Sequence, residues 1–136
     1  MRLSTHLSFD GQCEEAFKFY EQCFEGKIEM IMLYENSPMA KQVPAGMLKR
    51  VLHASLVIDG QALMGADAPL GKFSKPHGFA VAVSLNDPAK AERIFKALSE
   101  KGDVQMPMQQ TFWATKFGMV TDRFGTPWMI NCGQQG

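Results

Sequence analysis

Apolar and polar residues alternate along this chain with two different periods. Between residues 12 and 25 the apolar positions lie three or four apart, which predicts an amphipathic helix that ends at Gly26. The same stripe recurs over residues 88–101, after Asp87 as a suitable N-cap and before Gly102 as a stop. The two stripes superimpose without a gap, since Ala91, Ile94, Phe95 and Leu98 stand 75 residues after Ala16, Phe19, Tyr20 and Cys23.

Segments that alternate with a period of two predict strands on both sides of each helix. One strand precedes each helix, over residues 3–9 and 78–85, and three strands follow it. In each half the last two strands are joined by a glycine turn, Asp59-Gly60 in the first and Gly125-Thr126 in the second. The predicted strands after the helices cover residues 27–34, 50–58, 61–66, 104–109, 116–122 and 127–131. Each half is therefore predicted to have the element order βαβββ.

The repeat predicts an α+β chain whose two modules cover about residues 1–67 and 77–136. A lone βαβββ half leaves one sheet face uncovered, so we expect both halves to fold together as a single domain over residues 1–136. A length of 136 residues also suits one domain. The segments 35–47 and 68–76 are predicted loops, and the first is long enough to be a mobile flap.

Charge and cysteine content limit the classes of function. The 14 Lys and Arg residues balance 14 Asp and Glu residues, so the chain lacks the basic excess of a nucleic-acid binder. No stretch approaches the ~18 apolar residues of a membrane span, and the first residues do not resemble a signal peptide. Three cysteines without a Cys-x-x-Cys pair favour a reducing cytoplasm. We therefore predict a cytoplasmic protein with no nucleic-acid or membrane partner.

Methionine and phenylalanine are both abundant, with ten residues of each. Flexible Met side chains together with Phe suit an adaptable apolar cavity, whereas ordinary filling of the core explains most of them equally well.

The order and spacing of short motifs resemble a known family. The motifs are Leu7-Ser8-Phe9-Asp10-Gly11, Glu15-Ala16-Phe17 with Phe19-Tyr20, His53-Ala54, Met64 with Asp67-Ala68, Thr111-Phe112-Trp113, Phe117-Gly118, and Thr121-Asp122-Arg123-Phe124-Gly125 with Trp128. Together they resemble the PhnB-like branch of the glyoxalase/bleomycin-resistance/dioxygenase superfamily, also called vicinal oxygen chelate proteins. The resemblance covers nearly the whole chain.

This resemblance implies two βαβββ modules whose curved mixed sheets surround a cavity, usually in a homodimer. It does not choose a chemistry, because the superfamily includes metal-dependent enzymes as well as metal-free proteins that sequester a drug. Some relatives carry a ubiquinone-methyltransferase label. The sequence has no Gly-rich strand-to-helix loop for S-adenosylmethionine, so we expect no cofactor.

The resemblance also locates the positions that hold metal in metal-using relatives. These relatives place two carboxylates near the ends of the fourth and eighth strands, with further ligands on the first and fifth. Counting four residues from each hairpin glycine puts Met64 and Met129 at the carboxylate positions. A thioether is a poor ligand for a hard ion, so we predict that the chain has no metal ligands.

On the first strand the matching position is near Ser4, within two residues of His6, and on the fifth strand it is near Ala80. An alternative metal site would use His6, His53 and Asp67. Because side chains alternate along a strand, His6 is expected on the cavity face of the first strand and His53 on the cavity face of the third. The two histidines can therefore share a cavity.

Two other residues are candidates for ligand contact. Trp113 precedes the seventh strand. Its side chain either forms a wall of the pocket or packs at the rim of the sheet or against a second subunit. Asn131 shares a face with Met129. Its side chain either orients a polar group of a ligand or forms its hydrogen bonds with the backbone. The full set of predicted ligand-binding residues is His6, His53, Met64, Asp67, Trp113, Met129 and Asn131.

Our leading hypothesis is a metal-free, PhnB-like protein that binds a small molecule and forms a homodimer. The alternative is a metal-dependent lyase, isomerase or dioxygenase that acts on vicinal oxygens. A third hypothesis is a partner-binding module whose cavity is filled by its own Met and Phe side chains. The sequence identifies neither the ligand nor a catalytic residue.

Overall fold

The computed structural model describes residues 1–134, without the side chain of Gln134, and contains two compact units. The first unit, Met1–Ser74, contains β1 (Thr5–Phe9), α1 (Cys13–Phe24), β2 (Lys27–Leu33), β3 (Val51–Ile58) and β4 (Gln61–Asp67). The second unit begins at Lys75 and contains β5 (Val81–Leu85), α2 (Pro88–Ser99), β6 (Asp103–Gln109), β7 (Ala114–Thr121) and β8 (Pro127–Gln134). The predicted order βαβββ is confirmed in each.

Each unit holds one mixed four-stranded sheet. The strand orders are β1-β4-β3-β2 and β5-β8-β7-β6. The first strand of each unit pairs in parallel with the last, and the remaining pairs are antiparallel. Each sheet is therefore mixed, and the chain is α+β as expected.

The two helices start 75 residues apart, and each has 12 residues, which confirms the predicted repeat. Asp87 caps α2, because its carboxylate accepts hydrogen bonds from the backbone N–H groups of Ala89 and Lys90 at 3.1 and 3.3 Å. Glu25 ends α1 with a left-handed φ of 54°. The predicted α2 was two residues too long, because the helix ends at Ser99 rather than at residue 101.

Each helix packs its apolar stripe on one face of its own sheet. In the first unit the ring of Phe9 lies 6.2 Å from that of Phe17 and 6.5 Å from that of Tyr20. Phe17 approaches the sheet closely only because residue 65 is glycine, where a Cβ atom would stand 2.7 Å from its ring. Gly118 likewise allows Phe95 of α2 to approach the second sheet, because a Cβ atom at residue 118 would stand 2.7 Å from the ring of Phe95. The opposite face of each sheet has no helix of its own unit on it, within the described residues.

The predicted loop at residues 35–47 is held by short 3-10 turns. The turns cover Tyr34–Asn36, Ala40–Gln42 and Ala45–Met47. Tyr34 and Met47 are buried, and the Ser37 hydroxyl donates to the carbonyl oxygen of Tyr34 at 2.8 Å. The segment is therefore anchored near both ends.

Strand ends differ from the predictions at several places. β1 begins at Thr5 rather than at residue 3, and β8 continues to Gln134 rather than ending at 131. β8 is longer because its residues remain paired with β7 as far as Ala114 and Gln134, even though Gly133 has a positive φ of 64°. Neither helix in the described part of the chain is long and apolar enough to cross a membrane.

Candidate functional site

The helix-free face of the first sheet brings polar and sulfur side chains together. His6 of β1 pairs with Met64 of β4, which pairs with Ser55 of β3, which pairs with Met30 of β2. These four residues form one row across all four strands. His53 lies two residues from Ser55 on β3 and therefore shares its face. The predicted placement of His6 and His53 on one face agrees with this register, and Met64 lies on the same face.

Strand alternation explains why these side chains point away from α1. Leu7, Ala54 and Leu63 are the chain neighbours of the row, and all three are buried. Because successive side chains point to opposite faces, the buried set lies under the helix and the row lies on the other side. The face is thus set by the periodicity of apolar residues in β1, β3 and β4.

A groove of about 1030 Å³ lies on this face of the first unit. Met30 and Met64 give it flexible apolar walls, while His53 and Ser55 give it hydrogen-bonding groups. Other residues along the groove include Val57, Ala62, Arg2 and Glu29, so it holds one charge of each sign.

The two histidines of this face interact electrostatically. Partial burial of the imidazole lowers the pKa of His6 below its usual value of 6.5, and the charge of His53 lowers it further. His6 is therefore neutral at pH 7, with one nitrogen that donates a hydrogen bond and one that accepts.

Asp67 lies on the opposite face from this pair and has structural partners. It is 4% exposed, and its Oδ1 accepts hydrogen bonds from the N–H groups of Gly11 and Cys13 at 2.9 and 3.0 Å. Its Oδ2 accepts one from the N–H of Val51 at 2.8 Å. The carboxylate thus ties the end of β4 to the starts of α1 and β3.

The alternative metal site at His6, His53 and Asp67 is not formed. Asp67 is three residues from Met64 on the same strand, so its side chain is on the helix side of the sheet. Among residues 1–134 no group of three or more His, Cys, Asp or Glu side chains is placed to hold a metal ion.

Cys13, the first residue of α1, is not activated. Burial raises the pKa of the Cys13 thiol well above its usual range, and the charges of Asp67 and Glu14 raise it further. Cys132 is also buried and free. Cys13 therefore behaves as a small apolar residue, not as a nucleophile.

Asn131 of the second unit borders a small cavity of about 230 Å³. The cavity is also lined by Ser84, Leu85 and Asn86. The side-chain oxygen of Asn131 is buried and has no hydrogen-bond partner. Met129 lies two residues away on the same face of β8, where it pairs with Ala82 of β5 and Met119 of β7.

Trp113 sits in the loop before β7 and is 37% exposed. Its ring centroid lies 4.8 Å from that of Phe112 and 5.2 Å from that of Phe117, both in edge-to-face geometry. Phe117 is the cross-strand partner of Asn131. Trp113 and Asn131 are therefore linked through one aromatic side chain within the second unit.

Two features of the sites escape sequence analysis. Met30 joins the row because the β2–β3 register shifts between Ile28 and Met30, a shift for which the sequence carries no signal.

Asp122, which the sequence analysis named only as part of a motif, is a second buried carboxylate. It accepts hydrogen bonds from the backbone N–H groups of Phe124 and Thr126 and from the indole of Trp128, at 2.8, 3.0 and 2.8 Å. The motif around it therefore builds the β7–β8 turn.

Comparison with known proteins gives matches over almost the whole chain. The family model described as 3-demethylubiquinone-9 3-methyltransferase matches residues 1–131. Protein YjdN of Escherichia coli strain K12 is 35% identical over 144 aligned residues, covering 99% of this chain and 97% of that protein. The crystal structure of protein PA1353 from Pseudomonas aeruginosa is 40% identical, covers 99% of each chain and has a TM-score of 0.90.

Other solved structures bear on the branch and the fold. A PhnB protein from Bacillus cereus, described as a putative 3-demethylubiquinone-9 3-methyltransferase, is 26% identical with a TM-score of 0.81, covering 98% of this chain and all of that one. A glyoxylase/bleomycin resistance protein/dioxygenase domain from Frankia has a TM-score of 0.66 at 11% identity, a likeness of fold alone, over 98% of each chain. The expected fold is confirmed.

Proposed function

We propose a function from the premise that this chain belongs to the 3-demethylubiquinone-9 3-methyltransferase family, as a PhnB-like member of the glyoxalase/bleomycin-resistance superfamily. The function is to bind a small molecule in the groove on the helix-free face of the first sheet, without a metal ion. The observation that carries the proposal is the row His6–Met64–Ser55–Met30 with His53 beside it.

The chemistry of this face suits a ligand with an apolar body and a polar end. Ligand sites are typically concave and largely apolar, with a few polar groups that fix orientation. Here Met30 and Met64 adapt to the body, while the His53 imidazole and the Ser55 hydroxyl, which both line the groove, bind the polar end. His6 does not line the groove but pairs with Met64, which does, so its neutral imidazole is placed to bind a hydroxyl, carbonyl or amide group that extends along the row.

The proposal does not include methyl transfer. The β1–α1 loop is Asp10-Gly11-Gln12, with a single glycine. The N–H groups of Gly11 and Cys13 at the start of α1 are occupied by the carboxylate of Asp67. A helix N-terminus that binds the carboxylate of S-adenosylmethionine needs those N–H groups free.

We also propose that the protein is a cytoplasmic homodimer. Large apolar side chains are exposed in the second unit, with Phe112 at 88% and Phe79 half exposed. Exposed aromatic groups of this kind are typical of an interface, and isologous dimers are the commonest oligomers.

A fragment screen by nuclear magnetic resonance tests the binding proposal. The full-length protein, labelled at methionine methyl groups and histidine rings, is titrated with a library of neutral and charged fragments. We expect binding fragments to shift the signals of Met64, His6 and His53 together, while the exposed His77 stays unchanged. His53→Gln should weaken those fragments, and the matched control His77→Gln should not. Fragments that bind only elsewhere, or with equal affinity to both variants, would overturn the proposal.

A further inference from the structure

The second sheet carries three methionines in a single row. Met106 of β6 is the direct cross-strand partner of Met119 of β7, and Met119 is the partner of Met129 of β8. We call these three residues the methionine row. Ala82 of β5 continues it with a small side chain.

The methionine row lies on the face away from α2. Val120 and Ile130, the chain neighbours of Met119 and Met129, are fully buried, so alternation turns the two methionines to the other face. All three methionines of the row are only half-buried, unlike the core residue Met47. They are therefore not ordinary core side chains of their own unit.

Met106 joins this face because β6 is irregular on both sides of it. Val104 pairs with Val120, yet Met106 pairs with Met119, so the register shifts by one residue between them and again before Gln109. Such bulges re-aim a side chain. Met108, beyond Met106, is on the helix side, where a Cβ atom on Gly118 would stand 2.8 Å from its sulfur and 2.7 Å from Phe95.

The spacing of the row allows the three sulfur atoms to meet. Direct cross-strand partners have Cα atoms about 4.5–5.5 Å apart, and a methionine side chain has three rotatable bonds beyond the Cα atom. The outer two methionines can therefore bring their thioethers over the central Met119 without a change in the backbone.

We propose that the methionine row is a binding site for a soft monovalent metal ion, Cu(I). Neutral thioethers select Cu(I) over hard ions, which prefer oxygen ligands. The side-chain oxygen of Asn131, two residues from Met129 on the same face, has no partner and adds a polar group beside the row. The methionine row itself contains no His, Cys, Asp or Glu side chain, the usual ligands of a divalent metal site.

Silver(I) is the probe, because it has the ligand preference of Cu(I) and needs no reductant. The full chain carries Cys23→Ser, which removes the cysteine that is not buried, and its methionine methyl groups are labelled. One equivalent of silver nitrate should shift the signals of Met106, Met119 and Met129 together and leave Met108 and Met47 unchanged. Zinc(II) should shift none of them. Cu(I) under anaerobic conditions should reproduce the silver result.

Matched leucine variants complete the test. Met119→Leu conserves volume and removes the central sulfur, so the affinity for silver should fall about tenfold or more. Even the loss of a group that only supports a metal ligand typically costs about 10–100-fold in metal affinity. Met108→Leu should leave the affinity unchanged. If Met119→Leu fails to fold, Met129→Leu replaces it. Equal weakening by Met108→Leu, unshifted row methyl signals, or equal shifts with zinc would overturn the proposal.

Discussion

Two buried aspartates show how the same residue type organises each unit at the scale of single side chains. Asp67 and Asp122 are each 4% exposed, and each accepts hydrogen bonds from at least three N–H groups. Asp67 joins three segments of the first unit, whereas Asp122 closes the β7–β8 turn and holds the indole of Trp128. Buried carboxylates of this kind are structural because they accept hydrogen bonds from groups of the chain itself.

Replacing Asp67 by Asn should destabilise the protein. One carboxylate oxygen becomes an NH₂ group that cannot accept, so at least one buried backbone N–H loses its partner, at a cost of about 1–3 kcal/mol. Urea unfolding measures this loss. The control Asp103→Asn, at an exposed position of β6, should stay within about 0.5 kcal/mol of wild type. An Asp67→Asn effect as small as that of the control would contradict the structural role.

The lowered pKa of His6 predicts a pH dependence of stability. Because the folded pKa lies below the unfolded value of 6.5, the unfolded chain binds the proton more tightly. The stability that His6 confers is therefore present above pH 6.5 and is lost as the pH falls through that value towards the folded pKa. Unfolding free energies between about pH 5 and 8 should show this loss in wild type. His6→Gln should remove that part of the pH dependence, and His77→Gln should retain it.

At the scale of elements, close contact between each helix and its sheet depends on glycine. Gly65 lies under Phe17, and Gly118 lies under Phe95, so the two units use the same device on different strands. A helix that cannot approach its sheet leaves voids in the core, which interiors do not tolerate.

Gly65→Ala should destabilise the protein by about 1–3 kcal/mol, since the added Cβ atom would stand 2.7 Å from the ring of Phe17 and 3.1 Å from the backbone oxygen of Leu7. Chemical unfolding in a double-mutant cycle with Phe17→Leu isolates the cause. The glycine substitution should cost less in the Phe17→Leu background. Additive effects would show that the ring is not the obstacle.

Sequence pattern predicts the elements well and the sheet faces only in part. The helix stripes and the order βαβββ follow from the spacing of apolar residues, and alternation correctly puts His6 and His53 on one face. The parallel pairing of β1 with β4 depends on contacts distant in sequence. The faces of Met30 and Met106 depend on register shifts, which no residue type at those positions signals. The motif placed Asp67 near a ligand, but its position three residues from Met64 turns it to the helix side.

For the whole molecule, the exposed aromatic side chains of the second unit predict self-association. Sedimentation of the purified protein should give a mass of about twice 15.1 kDa. Phe112→Ser should weaken the dimer, because it removes the most exposed of these rings. The control Leu70→Ser removes a partly exposed apolar side chain of the first unit and should not weaken it. A monomer at micromolar concentration would contradict the dimer proposal.

The central claim is that the groove on the helix-free face of the first sheet holds a small molecule. Native mass spectrometry of the full-length protein, purified without added ligand, tests it most directly when wild type is compared with Ala62→Trp and Ala89→Trp. The first variant fills the groove, and the second places the same side chain on an exposed position of α2. We predict a bound small molecule in wild type and in Ala89→Trp, and none in Ala62→Trp. A ligand retained by Ala62→Trp, or absent from all three proteins, would contradict the account.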